Sequence, residues 1–270
     1  MSAGGSLRRR RIVFFFVTVW TATLTGTAAR AACDFPLQGE GQVSAILDVR
    51  TLRLGDGREI RLSGIEIPQS AEAASTAWLR EHALKQKITL RAADDAPDRY
   101  GRQHAFVSLE GGNTTLQNTL VAEGRAVVSA NPGDSACTAE LKAAELHAAG
   151  SRLGIWSRSD FILDATAPDG ILKYIGRFAL VEGIILSARH AGGTLYLNFG
   201  RRRIQGFAVT LSRRMMASFA AAGMTPVTLQ GKRVRVRGWI SQHGGPRMEA
   251  RLPGQIEFIS DNRTAAAGGK

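Results

Sequence analysis

Over residues 42–65 apolar and polar positions alternate, with Val43, Ala45 and Leu47 on one side and Gly55-Asp56-Gly57 breaking the run. A period of two interrupted by a Gly-Asp-Gly turn predicts paired β-strands, and Pro68 closes the segment. Over residues 70–84 the apolar positions Ala73, Ala77, Leu79 and Leu84 predict a helix, with Trp78 in its core face. KITLR at 87–91 and residues 103–109 are expected as strands, separated by the polar loop AADDAPDRYGR at 92–102. A short helix is expected over 115–123 and stops at Gly124, a natural C-terminal cap. Residues 125–128 follow as a strand and 138–149 as a helix ending at Gly150.

Residues 159–176 contain Pro168-Asp169-Gly170 and read as a linker. Beyond it, FALVEGIILSA, TLYLNFG, RIQGFAVTL, KRVRVRGWI and QIEFI each read as strands, with a helix over 212–222. In KRVRVRGWI, Val234 and Val236 point one way and the arginines the other. This order predicts a second small β-barrel over 177–261, and 262–270 as a disordered tail. The fold class is therefore β-rich α+β, with two β domains.

The first residues stand apart from this pattern. Arg8 to Arg11 precede the apolar run IVFFFVTVW, then small residues and Ala29-Arg30-Ala31. This is the layout of a secretory signal peptide, 1–31, cleaved after Ala31. The apolar run is short for a membrane span of roughly 20 residues. The protein is expected to be exported, periplasmic or secreted, with no transmembrane segment after cleavage. An oxidising destination makes a Cys33–Cys137 disulfide the expectation for the two cysteines. No C-x-x-C or Cys/His cluster supports zinc.

Loss of the five leader arginines lowers the net charge from +12 to +7, and what remains is uneven. Residues 32–160 carry 14 basic and 17 acidic residues; residues 161–270 carry 16 and 6. A basic second half suits nucleic acid or another polyanion. Its cations cluster at Arg201, Arg202 and Arg203, at Arg213 and Arg214, and at Lys232, Arg233, Arg235 and Arg237. Tyr196, Phe199, Phe207 and Trp239 lie nearby, although Phe207 and Trp239 read first as core residues. Arginines beside aromatic rings suit a single strand, whose phosphates take cations and whose bases stack.

One set of motifs is more specific: Asp48 and Thr51, then Arg-Leu-Ser-Gly-Ile-Glu-Ile-Pro at 61–68, Asp98-Arg99-Tyr100-Gly101-Arg102, Leu120 to Gly124, and Gly154-Ile155-Trp156. In order and spacing these resemble the staphylococcal-nuclease-like (thermonuclease) family over about residues 41–157. The resemblance implies a five-stranded OB-type barrel with three helices in a domain spanning 32–158. It also implies that active members hold Ca²⁺ on carboxylates, activate water with a glutamate and neutralise the phosphorane with two arginines. Those requirements follow general chemistry: a hard cation wants oxygen ligands, water wants a base, and developing phosphate charge wants fixed cations.

Carried over by motif, the phosphate arginines are Arg61 and Arg102, with Tyr100 beside them. The calcium carboxylates are Asp48 and Glu66, the latter one methylene longer than usual. Arg50 stands where the family has a second aspartate ligand, and Gln69 stands where it has the general base. A glutamine amide cannot accept the proton of water, and a guanidinium opposes a divalent cation. Two readings of Arg50 remain open here. It replaces the metal's charge in a phosphate cradle with Arg61 and Arg102, or it pairs with Asp48 or Glu66. His82, His104 and His147 show no partnered pattern. The leading expectation is an exported pseudo-nuclease that binds nucleic acid through its basic second domain, with no cofactor and a degenerate Ca²⁺ site. The alternatives are an active phosphodiesterase with altered metal use, and an envelope module binding protein, glycan or lipid.

Overall fold

The computed structural model describes Met1 and residues 35–131, 135–201 and 205–259. Most of the expected leader, Cys33, Arg202, Arg203 and the tail at 262–270 lie outside the described residues. Among the described residues no helix is long and apolar enough to cross a membrane.

The first half builds β1 (Leu37–Asp48), β2 (Thr51–Leu54), β3 (Glu59–Leu62), β4 (Ile65–Glu66), α1 (Glu72–His82), β5 (Lys87–Arg91), β6 (Arg102–Leu109), α2 (Leu116–Ala122), β7 (Val127–Val128) and α3 (Ser135–Gly150). Strands β1, β2, β3, β6 and β5 close into a barrel. The long β1 makes this closure: its first half pairs with β5 and its second half with β2. Closure leaves no strand edge in the ring. Gly41 sits between the halves of β1, where a Cβ would stand 2.7 Å from the Leu54 side chain.

Val43, Leu52, Leu54, Ile60, Leu62, Ile88, Leu90 and Val107 fill the barrel, capped by Leu79, Leu120 and Leu141 from the helices. α2 starts at Thr115, whose hydroxyl accepts the Asn118 N–H at 3.1 Å. It stops at Gly124 with φ +65°, as the sequence predicts. A second constraint acts there, because a Cβ on Gly124 would lie 2.2 Å from the Leu153 carbonyl oxygen.

The second half builds β8 (Ile162–Asp164), α4 (Pro168–Leu172), β9 (Phe178–Ile184), β10 (Ser187–Ala191), β11 (Thr194–Asn198), β12 (Ala208–Ser212), α5 (Arg213–Ala221), α6 (Pro226–Leu229), β13 (Arg233–His243), β14 (Gly245–Glu249) and β15 (Ile256–Phe258). Residues 159–176 are not a loose linker. β8 pairs in parallel with β9, and Ala165 and Ile171 are buried in the second core. Its short strand was hidden in the sequence by the Pro-Asp-Gly turn signal that follows it.

The second half is an eight-stranded sheet that retraces the pairing path of the first barrel. β10 pairs with β11, β11 with β12, β12 in parallel with β14, β14 with β13, and β13 with β9. In the first barrel the same path runs β1, β2, β3, β6, β5 and back to β1. The difference is that its first strand comes in two pieces, β9 and β10. Between them the Ile185 N–H bonds Lys232 O at 3.0 Å and the Leu186 N–H bonds Asn198 O at 2.8 Å. The chain passes there from one partner strand to the other.

The face shared by β9 and β13 packs on the first barrel. Phe178 and Leu180 join the first core, while Val181, Val234 and Val236 join the second. The arginines of β13 therefore face a protein surface, not solvent. Arg235 pairs with Glu182 and lies over the Trp156 ring at 5.6 Å. Arg237 is 1% exposed and binds Glu145 with both terminal nitrogens, at 3.1 and 2.7 Å. It also binds Glu257 at 2.8 Å and the Val128 carbonyl at 3.0 Å.

Candidate nucleic-acid interface and the nuclease-type face

Strand register sets the first charged cluster. Asp48 pairs with Thr51, Thr51 with Arg61, and Arg61 with His104, so β1, β2, β3 and β6 align these side chains. The Arg61 guanidinium donates to Asp48 Oδ2 at 3.0 Å and to the Thr51 hydroxyl at 2.9 Å. Asp48 also accepts the Thr51 hydroxyl at 2.9 Å and the Arg50 backbone N–H at 2.7 Å. Partial burial alone would raise the Asp48 carboxyl. The hydrogen bonds from Arg50 and Thr51, with Arg61 beside them, hold it below the ordinary aspartate value.

The Asp48 turn aims Arg50 inward. Its guanidinium donates to the Ile65 carbonyl and pairs with Glu66 at 2.8 Å, both side chains being largely buried. Burial pushes the Glu66 carboxyl above the ordinary glutamate value despite the arginine. Burial, with Arg50 as a like charge nearby, lowers Arg61. On the neighbouring loop Asp98 grips Arg102 at 2.7 and 3.0 Å and touches His104 at 3.1 Å. The hydrogen bonds from Arg102 hold the Asp98 carboxyl well below its usual range, and Asp98 in turn raises Arg102. Tyr100 is exposed, with Arg99 and Arg102 at 4.7 and 4.9 Å from its ring centre.

Arg50, Arg61 and Arg102 are therefore brought together, but each is closed by a carboxylate of the same chain. Of the two readings of Arg50, the pairing with Glu66 is the one in the structure. The donor set does not fit Ca²⁺: Asp48 is held by the Arg61 guanidinium and Glu66 by that of Arg50. Among the described residues no three His, Cys, Asp or Glu side chains converge on a common point. Gln69, exposed at the start of a short 3₁₀ turn, accepts a hydrogen bond from Arg177 of the second half. Arg177 carried no motif, and nothing in the sequence placed it there.

The second-domain candidates separate. Arg201 is exposed, Arg233 half-buried, and Arg235 and Arg237 are used against the first barrel. Phe207 is core as expected, whereas Trp239 is 52% exposed and makes an edge contact with Phe178. Trp239 shares the barrel-facing side of β13 but lies beyond the contact. A further set emerges on the outer face of the sheet. Arg189 of β10 pairs with Tyr196 of β11, and the Arg247 guanidinium of β14 lies over the Tyr196 ring at 5.0 Å. Neither arginine has a carboxylate partner among the described residues. The sequence did hold a signal for the first pair: the two-residue turn Gly192-Gly193, both at positive φ, fixes the register by counting outward.

Cys137 is fully buried in α3 and is not a free thiol; its expected partner Cys33 lies outside the described residues.

No curated protein sequence matches the chain at a significant level. A family profile does: residues 59–158 match the one described as staphylococcal nuclease homologue, spanning β3 to the end of the first barrel's helices. With the closed five-stranded barrel and the Asp48, Arg61 and Arg102 cluster on its face, the chain carries a staphylococcal-nuclease-homologue domain.

Proposed function

We propose that the protein is an exported pseudo-nuclease that binds single-stranded nucleic acid without cutting it. The observation that carries this reading is the closed charge balance of the catalytic face: Arg50 on Glu66, Arg61 on Asp48, Arg102 on Asp98. An incoming phosphate there must break an existing ion pair for each cation it gains. With Gln69 at the base position, no carboxylate is placed to take the proton of an attacking water. Binding falls instead to cations that are not already neutralised, on the outer face of the second sheet. Arg189 and Arg247 flank Tyr196, an arrangement in which phosphates take the guanidinium groups and a base stacks on the ring. Export, from the leader and the Cys33–Cys137 pairing, belongs to the same reading.

The test is cleavage and binding together. Single-stranded and duplex DNA are incubated with the protein, with Ca²⁺ or with chelator, and strand length is read on a gel. Strands should keep their length under both conditions, while the single strand binds with an affinity that falls steeply with salt. Calcium-dependent shortening that disappears in Arg61→Ala would overturn the reading and return Asp48 and Glu66 to the role of ligands.

A further inference from the structure

The two halves enclose an open cleft of about 370 Å³ that shares Gln69 with the nuclease-type face and none of the ion-paired arginines there, and nothing with the outer sheet face. Its first wall is Pro68-Gln69-Ser70 of the first barrel; the others are Arg158, Asp160 and Phe161, which lead out of that barrel, and Lys173, Tyr174 and Arg177 to Ala179 of the second half. We propose that this cleft binds a phosphate carried on an aromatic base, a nucleoside monophosphate or the phosphorylated end of a strand.

The charge in the cleft is the first argument. Arg158 is matched by Asp160, at 3.1 and 2.8 Å. Lys173 and Arg177 are exposed, and neither has a carboxylate partner among the described residues. Arg177 donates to the neutral amide oxygen of Gln69, which orients its guanidinium without neutralising it. Two uncompensated cations on neighbouring turns suit a dianionic phosphate. The rings are the second argument. Tyr174 and Phe161 line the same cleft half-buried, and Phe178 closes its floor. Phe161 is held edge-on by Trp156 at 5.1 Å, so it offers a fixed apolar wall. The volume lies within the range of small-ligand sites, roughly 300–1,000 Å³. The third argument is position. The cleft exists only where both halves meet, and the Gln69–Arg177 hydrogen bond crosses it, so a ligand there touches both.

The experiment is calorimetric titration of the purified protein with adenosine 5′-monophosphate, adenosine and inorganic phosphate. The monophosphate should bind with Kd between about 10 μM and 1 mM, and the two fragments at least about tenfold more weakly. Lys173→Glu with Arg177→Glu should weaken monophosphate binding by about tenfold or more, and Tyr174→Ala by a smaller factor. Arg80→Glu, at an exposed position of α1 outside the cleft, should leave it unchanged, which separates this site from non-specific charge attraction. Lys173 and Arg177 are surface groups and Tyr174 is half-buried; melting curves matching the unaltered protein show that the variants fold. Competition by a 5′-phosphorylated oligothymidylate, but not by its 5′-hydroxyl form, marks a strand end as the ligand; no competition marks a free nucleotide. Absence of monophosphate binding up to about 10 mM, or binding that survives the Lys173/Arg177 double variant, overturns the proposal. Phosphate binding as tight as the monophosphate overturns its aromatic half.

Discussion

Replacing Arg237 with alanine tests whether the basic strand of the second half exists to hold the two halves together. The Arg237 guanidinium is 1% exposed and makes four hydrogen bonds: two to Glu145, one to Glu257 and one to the Val128 carbonyl. Its partners differ in what they keep when it goes. Glu257 retains Lys142 at 2.9 Å. Glu145, 5% exposed, retains only the Val128 N–H at 2.8 Å, so its carboxylate is left buried without a counter-ion. Breaking a buried pair from one side costs about 3–5 kcal/mol, about a fifth or more of the total for a marginally stable protein. At roughly 2–4 °C per kcal/mol for a chain of this size, the melting temperature should fall by about 6–20 °C.

Urea unfolding followed by tryptophan fluorescence and circular dichroism measures the loss. A second variant decides its cause. Arg237→Met with Glu145→Gln removes both charges and keeps an oxygen to accept the Val128 N–H. It should recover at least half of what Arg237→Ala loses, because a buried ion pair replaced as a unit is often near neutral. A loss below about 1 kcal/mol for Arg237→Ala would refute the reasoning, as would a double variant no better than the single one.

Tyr196→Ala should weaken single-stranded DNA binding by about 1–3 kcal/mol, read by fluorescence anisotropy. Arg189→Ala should lower the slope of log affinity against log salt by about 0.7, the share of one phosphate on a single strand. Stability should fall on acidification: Asp48 and Glu257 have carboxyls lowered from 3.8 and 4.5, Asp48 by its hydrogen bonds and Glu257 by Arg237 and Lys142 against the opposing effect of burial. Their contribution is complete above those ordinary values and is lost as pH falls through the lowered ones, so Glu257→Gln should flatten the acid limb of a melting-temperature profile. Thiol titration in denaturant of the protein purified without reductant should find no free thiol, and reduction should cost about 4–5 kcal/mol for a loop of this length.

The first barrel and its site were legible because their signals are local. Thr51, Arg61 and Arg102 sit in short motifs whose residues touch one another, and Gly124 caps the helix it follows. The identities at Arg50 and Gln69, on which the proposal of a non-cutting protein rests, could be read directly, since a residue type at a motif position carries its charge whatever the packing. What the motif could not decide was the partner of Arg50: Asp48 and Glu66 are both within a turn or strand of it, and only the fold shows that the turn aims the guanidinium at Glu66.

The second half failed differently. KRVRVRG alternates as a strand should, and alternation says that Val234 and the arginines face opposite ways; it does not say what the second face meets. The natural inference was solvent and a polyanion. The arginines instead meet Glu145, Glu182 and Glu257, and two of those acids were hidden for separate reasons. Glu145 lies ninety-two residues away on a helix, a separation at which nothing in the sequence links it to Arg237. Glu182 lies inside a strand that reads as apolar. An excess of basic residues in one half is therefore also what an intramolecular interface leaves when part of the balancing acid sits in the other half. The charge that remains available for a ligand is smaller than the count implies: it lies at Arg201, Arg213 and Arg214 within the runs, and at Arg189, Arg247, Lys173 and Arg177 outside them.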